Sequence, residues 1–233
     1  MLFDLRARGR RNTIKVIYAF LAVLMGGGLI FFGIGGNTSG GLFDAFKGGN
    51  SSTSSADDRL EKNVERALKR TQTTPRDPAA WAALTRARYQ LAGVGDRYDQ
   101  NAGAFTEKGR QALVEVEHSW DRYLSLEPPK PDADLASLMV QAFSPTGLSR
   151  PAKAVTAQEI VVDARDPSAG LYSTLAVLAY QANQSRKGDL AAKKAVELAP
   201  KDQRSILKEQ LDQAKQQSAG GAASGQSTAG SSG

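Results

Sequence analysis

The rhythm of hydrophobic and polar positions changes sharply along this chain. From Val16 to Gly36 the sequence "VIYAFLAVLMGGGLIFFGIGG" is apolar and carries no charge. About 20 helical residues at about 1.5 Å rise each cross a hydrocarbon core of roughly 30 Å, so the run predicts a transmembrane helix over 16–36. A cleavable signal has an apolar region of only about 7–15 residues. Glycine costs roughly 1 kcal/mol inside a soluble helix, yet it is frequent in spanning ones. The alternative is a signal peptide cut near Gly36, releasing a secreted helical domain.

Beyond Ala56 the pattern is helical. Leu60, Val64, Ala67 and Leu68 fall at i, i+4, i+7, i+8, the stripe of an amphipathic helix ending near Thr71. In "DPAAWAALTRARYQLAG", Asp77 suits the cap, Pro78 the first helical position and Gly93 the end, with Trp81, Leu84 and Leu91 inward. After "GVGDRYDQNAGAF", read as an insertion, Ala112, Leu113, Val116, Trp120, Tyr123 and Leu124 mark a long helix that Pro128 terminates. "DADLASLMVQAF", "AKAVTAQEIVVDARDP", "SAGLYSTLAVLAYQ" and "GDLAAKKAVELAP" add four more segments. "KDQRSILKEQLDQAKQQ" closes the domain with Ile206, Leu207, Leu211 and Ala214 on one stripe. No sustained period-2 alternation occurs apart from the short "EIVVD". The expected class is all-α, with a helical domain over 56–217 and a Gly/Ser/Ala tail over 218–233 too poor in apolar groups to order.

The helices repeat in pairs. Trp81 with Leu84, then Val116, Trp120, Leu124, Leu126 and Pro128, resemble a tetratricopeptide (TPR) unit, and "AAKKAVELAP" is the closest local likeness. A looser copy ends at Pro167, 39 residues after Pro128, and a third at Pro200, 33 residues further on, against a family period of about 34. The second copy lacks the large aromatic and has Glu159 at a usually apolar position. The resemblance, over roughly Asp77 to Pro200, implies a solenoid of about three stacked helix pairs plus a capping helix.

That resemblance also implies a binding face. In the family the first helix of each pair lines the concave side. By register with Trp81, this side would show Arg86, Tyr89 and Gln90, then Val140 and Phe143, then Val177, Tyr180 and Gln181. It is more aromatic and apolar than charged. Ala82, Ala136 and Ser173 stand where carboxylate-clamping members carry Lys and Asn, so no such clamp is expected. The layout of a short basic start, one span and an external helical domain is similar to the ancillary TPR subunits of the bacterial Sec translocon. "FFGIGG" resembles the anchors of membrane-bound periplasmic prolyl isomerases, though no isomerase domain follows.

Charge sets the orientation. The chain has 30 Lys+Arg and 24 Asp+Glu, a net of +6. Arg6, Arg8, Arg10, Arg11 and Lys15 against Asp4 account for +4 of it within residues 1–15, leaving +2 for the rest. Basic residues flanking a span stay on the cytoplasmic side. The N-terminus 1–15 is therefore expected inside, and the helical domain outside the cytoplasm at the cell membrane. Because most of the excess is topogenic, nucleic-acid binding is not expected. The stretch 37–55 is Gly/Ser-rich and reads as a flexible linker. Within it, "LFDAF" at Leu42–Phe46 reads as interfacial anchoring by Phe43 and Phe46. Asn37 and Asn50 begin N-x-S patterns that matter only in a glycosylating cell.

Chemistry is sparse. There is no cysteine, which removes disulfides, thiolate catalysis and Cys-ligated metals. The one histidine, His118, falls opposite Val116 and Trp120 and should face water. No GxxxxGK[ST], GxGxxG or HExxH motif occurs. The expectation is a binding scaffold with no enzymatic turnover, cofactor or metal. It would hold protein or peptide partners and serve as an accessory of export or envelope assembly. The alternative is an enzyme or enzyme accessory whose carboxylate pair is not readable from spacing.

Overall fold

The computed structural model describes residues 53–226, with side-chain surroundings for 57–219. The expectations for 1–15, for the span at 16–36 and for nearly all of the linker lie outside the described residues.

The described chain is mostly helical, as its period predicts. Eight helices follow in order: α1 (Thr53–Thr73), α2 (Pro78–Ala92), α3 (Glu107–Ser125), α4 (Ala133–Ala142), α5 (Pro151–Ala164), α6 (Ala169–Gln181), α7 (Ser185–Leu198) and α8 (Arg204–Gln226). "EIVVD" is part of α5, not a strand. Among the described residues, no helix is long and apolar enough to cross a membrane.

Local chemistry sets the ends. Asp77, Thr106, Asp132 and Ser168 cap α2, α3, α4 and α6 by accepting hydrogen bonds from Ala79, Gly109, Leu135 and Leu171 N–H groups. Pro78 and Pro151 open α2 and α5, where a missing N–H costs nothing. After α6, Asn183 turns to φ 58 and Gln184 N–H returns to Ala179 O at 2.8 Å, closing the helix with a left-handed residue.

Packing is sequential. α2 pairs with α3, α4 with α5 and α6 with α7. α5 joins the second pair to α6, while α1 covers α2 and α8 lies on α6 and α7. One buried cluster runs from Ala82 through Trp120, Met139, Val155 and Leu178 to Leu211, so the pairs share a core. Buried polar side chains of the domain are satisfied locally. Thr85 Oγ donates to Trp81 O at 2.8 Å, and Gln158 Nε2 to Leu171 O at 3.1 Å. Glu117, nearly buried, takes Lys153 Nζ at 2.7 Å from across α5.

α1 begins at Thr53, inside the stretch expected as linker, and Leu68, expected on its apolar stripe, is 37% exposed. Four further details differ from the sequence expectation. Trp81 is only half-buried: its Nε1–H reaches Pro75 O at 3.0 Å and Arg122 lies over its ring. Ile206 is 58% exposed, because Leu207, Leu211 and Ala214 alone form the inward stripe of α8. α8 runs to Gln226, past the expected end at Gln217. The insertion is not an open loop. It forms a 3-10 turn at Gly95–Arg97 and an antiparallel hairpin, β1 (Tyr98–Asp99) with β2 (Ala104–Phe105), registered Tyr98 to Phe105. Asp99 Oδ1 accepts the Asn101 and Ala102 N–H groups, and Gly103 supplies φ 61.

Candidate partner-binding face

The face expected from the first helices divides in the structure. Arg86, Tyr89 and Gln90 lie half-buried along α2. Val140 and Val177 are half-buried and pack on the core from α4 and α6, and Gln181 is exposed. Phe143 and Tyr180 are not surface residues. Phe143 is 1% exposed at the end of α4, with Lys153 over its ring. Tyr180 is 4% exposed, and its hydroxyl donates to Asp189 Oδ1 on α7 at 3.0 Å. Burial, then Asp189, push the Tyr180 hydroxyl well above the usual tyrosine range.

The structure brings α2 and α4 together through two polar bridges. Arg86 donates to Asp132 Oδ2 at 2.8 Å. Tyr89 donates to Gln141 Oε1 at 2.9 Å. Among the described residues, no hydrogen bond or ion pair ties Val177, Tyr180 or Gln181 to this seam.

Asp132 works twice. Oδ1 accepts Leu135 N–H at 2.9 Å as the cap of α4, while Oδ2 holds Arg86. Its own backbone N–H donates to the Tyr123 hydroxyl oxygen at 2.8 Å. Partial burial opposes its charge, but the Leu135 N–H and the Arg86 guanidinium outweigh it and hold the carboxyl below the usual range.

Tyr89 is roofed by the insertion. Phe105 meets its ring edge-on at 6.3 Å, and Tyr98 packs on Phe105 at 5.2 Å. Phe105 N–H also reaches Thr146 O at 3.4 Å, tying the hairpin to the turn after α4. Burial, then Tyr98, push the Tyr89 hydroxyl up to about 12. The hairpin is thus a strap across one end of the seam. Its local signal is "DQNAG" between Tyr98 and Phe105, a turn sequence flanked by strands too short to show alternation.

The other end of the seam is open. A cleft of about 460 Å³ lies between the start of α2 and the turn entering α4. Ala82, Ala83, Pro128 and Pro129 give it apolar walls, and its charged lining is mixed, Arg86 and Lys130 with Asp77 and Asp132. Arg86 commits one terminal nitrogen to Asp132; its other N–H groups and Lys130 Nζ have no partner among the described residues. Such a cleft can seat a small apolar side chain while donating to a backbone carbonyl or carboxylate.

His118 stands 67% exposed, 3.9 Å from Glu115 and away from this cleft. Among the described residues no group of three His, Cys, Asp or Glu side chains is placed to hold a metal ion. No protein-family model matches the chain, and comparison with curated proteins and with solved structures finds no match.

Proposed function

We propose that this chain is a membrane-anchored, TPR-like scaffold that holds extended peptide segments of partner proteins outside the cytoplasm, without turnover. In this reading residues 16–36 span the cell membrane with the basic N-terminus inside, and the helix pairs serve export or envelope assembly. The observation that carries it is the open cleft at the α2–α4 seam, with Arg86 and Lys130 offering uncommitted donors over an Ala/Pro floor. Stacked helix pairs expose such seams because each pair buries only part of its surface on its neighbour. Of the expected face, half-buried Arg86, Gln90 and Val140 would flank the bound segment, while Val177 and Gln181 lie apart from this seam. Phe143 and Tyr180 hold the frame.

Site-specific photocrosslinking in the native membrane tests this. A crosslinker at Ala83 or Lys130 should give adducts of defined mass, and one at His118 should not. Arg86→Glu should abolish the adducts without unfolding the domain. Equal adducts at all three positions, or adducts indifferent to Arg86→Glu, would reject the cleft as the site.

A further inference from the structure

The outward face of α7 differs from the rest of the surface. Arg186, Leu190, Lys193, Lys194 and Leu198 follow one another at helical spacing, and all are exposed. Leu190 is 65% exposed, the most open large hydrophobic side chain among the described residues. Exposed Ile206 follows just after the turn into α8. A single exposed leucine is ordinary. Two leucines interleaved with three cations on one helix are a more specific arrangement.

The carboxylates on α7 offset only part of this charge: exposed Glu197 cancels one of the three cations Arg186, Lys193 and Lys194 and leaves a net of +2. Asp189 is engaged by Lys215, whose Nζ lies 2.7 and 2.8 Å from its two oxygens, and by the Tyr180 hydroxyl. Glu197 comes only within 3.9 Å of Lys194. Arg186 and Lys193 have no ion-pair partner among the described residues. Lys187 differs, reaching Glu159 at 2.6 Å and bracing α7 against α5. The apolar side of α7, Ala191 and Ala195, is already buried in the core, so the leucine-and-lysine side is surplus to folding.

We propose that this face of α7 rests on an anionic membrane surface. Leu190 and Leu198 would enter the headgroup boundary, and Arg186, Lys193 and Lys194 would meet lipid phosphates and carboxylates. Charge complementarity selects this occupant: basic side chains around a shallow apolar insertion bind anionic lipid, and neutral lipid far less. The expected span at 16–36 supplies nearness to a bilayer, and the inference rests on that reading for nearness alone. It uses neither the α2–α4 cleft nor any residue placed there.

The chain has no cysteine, so one introduced cysteine carries one label. The test places an environment-sensitive fluorophore on Ser185→Cys, beside Leu190, in the full chain reconstituted into vesicles containing lipid-borne nitroxide. His118→Cys and Leu24→Cys serve as controls. Quenching at 185 should be several-fold stronger with phosphatidylserine present than in phosphatidylcholine alone. Lys193→Glu with Lys194→Glu should return it to the neutral-lipid level, with the thermal midpoint unchanged, and added salt should weaken it. Quenching at 185 that equals that at 118, or that survives the charge reversal, overturns the proposal, as does shielding that needs an added protein. The Leu24 label separately reports insertion of the apolar segment. The label at 185 decides the inference whichever way that control reads.

Discussion

Arg86 and Asp132 meet at 2.8 Å across the α2–α4 seam, and the same carboxylate caps α4 through Leu135 N–H. One side chain therefore starts a helix and fixes its neighbour, while lining the cleft proposed to hold a partner segment.

Separating those roles is straightforward. Asp132→Asn keeps a capping oxygen and loses the ion pair; it should cost about 0–1 kcal/mol, since the pair is partly exposed. Asp132→Ala loses both and should cost about 1–2 kcal/mol. Denaturant midpoints at neutral pH would show the order.

The pH dependence has a definite sign. The Asp132 carboxyl is held below its usual value in the folded state. Its contribution is fully present above the unfolded value of about 3.9 and is lost as pH falls through the lower folded value. The gap in stability between the natural chain and Asp132→Asn should therefore be constant at neutral pH and close below about pH 4. Midpoints measured from neutral pH down to about pH 3 would check this.

Tyr180 is a frame residue, and substitutions should report stability rather than capture. Tyr180→Ala should cost about 3–5 kcal/mol, as for other large core truncations. Tyr180→Phe should cost about 1 kcal/mol, because Lys215 still satisfies Asp189. Gly188→Ala should also destabilise despite alanine's better helix propensity, since a Cβ there would overlap the Tyr180 ring. Thermal melts of the three variants give the comparison.

The insertion should behave as a strap. A Cβ on Gly109 would overlap the Arg97 carbonyl oxygen, so Gly109→Ala should displace the hairpin and cost about 1–3 kcal/mol. Amide exchange should rise at Phe105, whose N–H reaches Thr146 O, before it rises in α3.

These cases show how far the sequence could be read. Helical period, Asp77, Pro78 and Pro128 marked the helices because caps and breakers act over one turn. Period alone places a residue on a helix but does not say which neighbour claims it. Tyr180 has the register of an outward residue, yet Gly188, nine tenths buried or more on α7, leaves a flat space that takes its ring. Ile206 has a core-like side chain, but α8 meets α6 and α7 through Leu207 and Leu211 one position on. The hairpin was hidden by length, since two-residue strands show no alternation. The Arg86–Asp132 bridge joins residues 46 apart and has no local signal.

Filling the α2–α4 cleft tests the central claim most directly. Ala83→Trp would occupy the space between the start of α2 and Pro128–Pro129, whereas His118→Trp adds the same bulk outside it. Binding of the partner identified by crosslinking should be measured for both full-length variants in membranes, alongside the thermal midpoint. The account predicts at least a tenfold loss for Ala83→Trp, about 1.4 kcal/mol, with the midpoint kept and His118→Trp unaffected. Undiminished binding by a folded Ala83→Trp chain would contradict it.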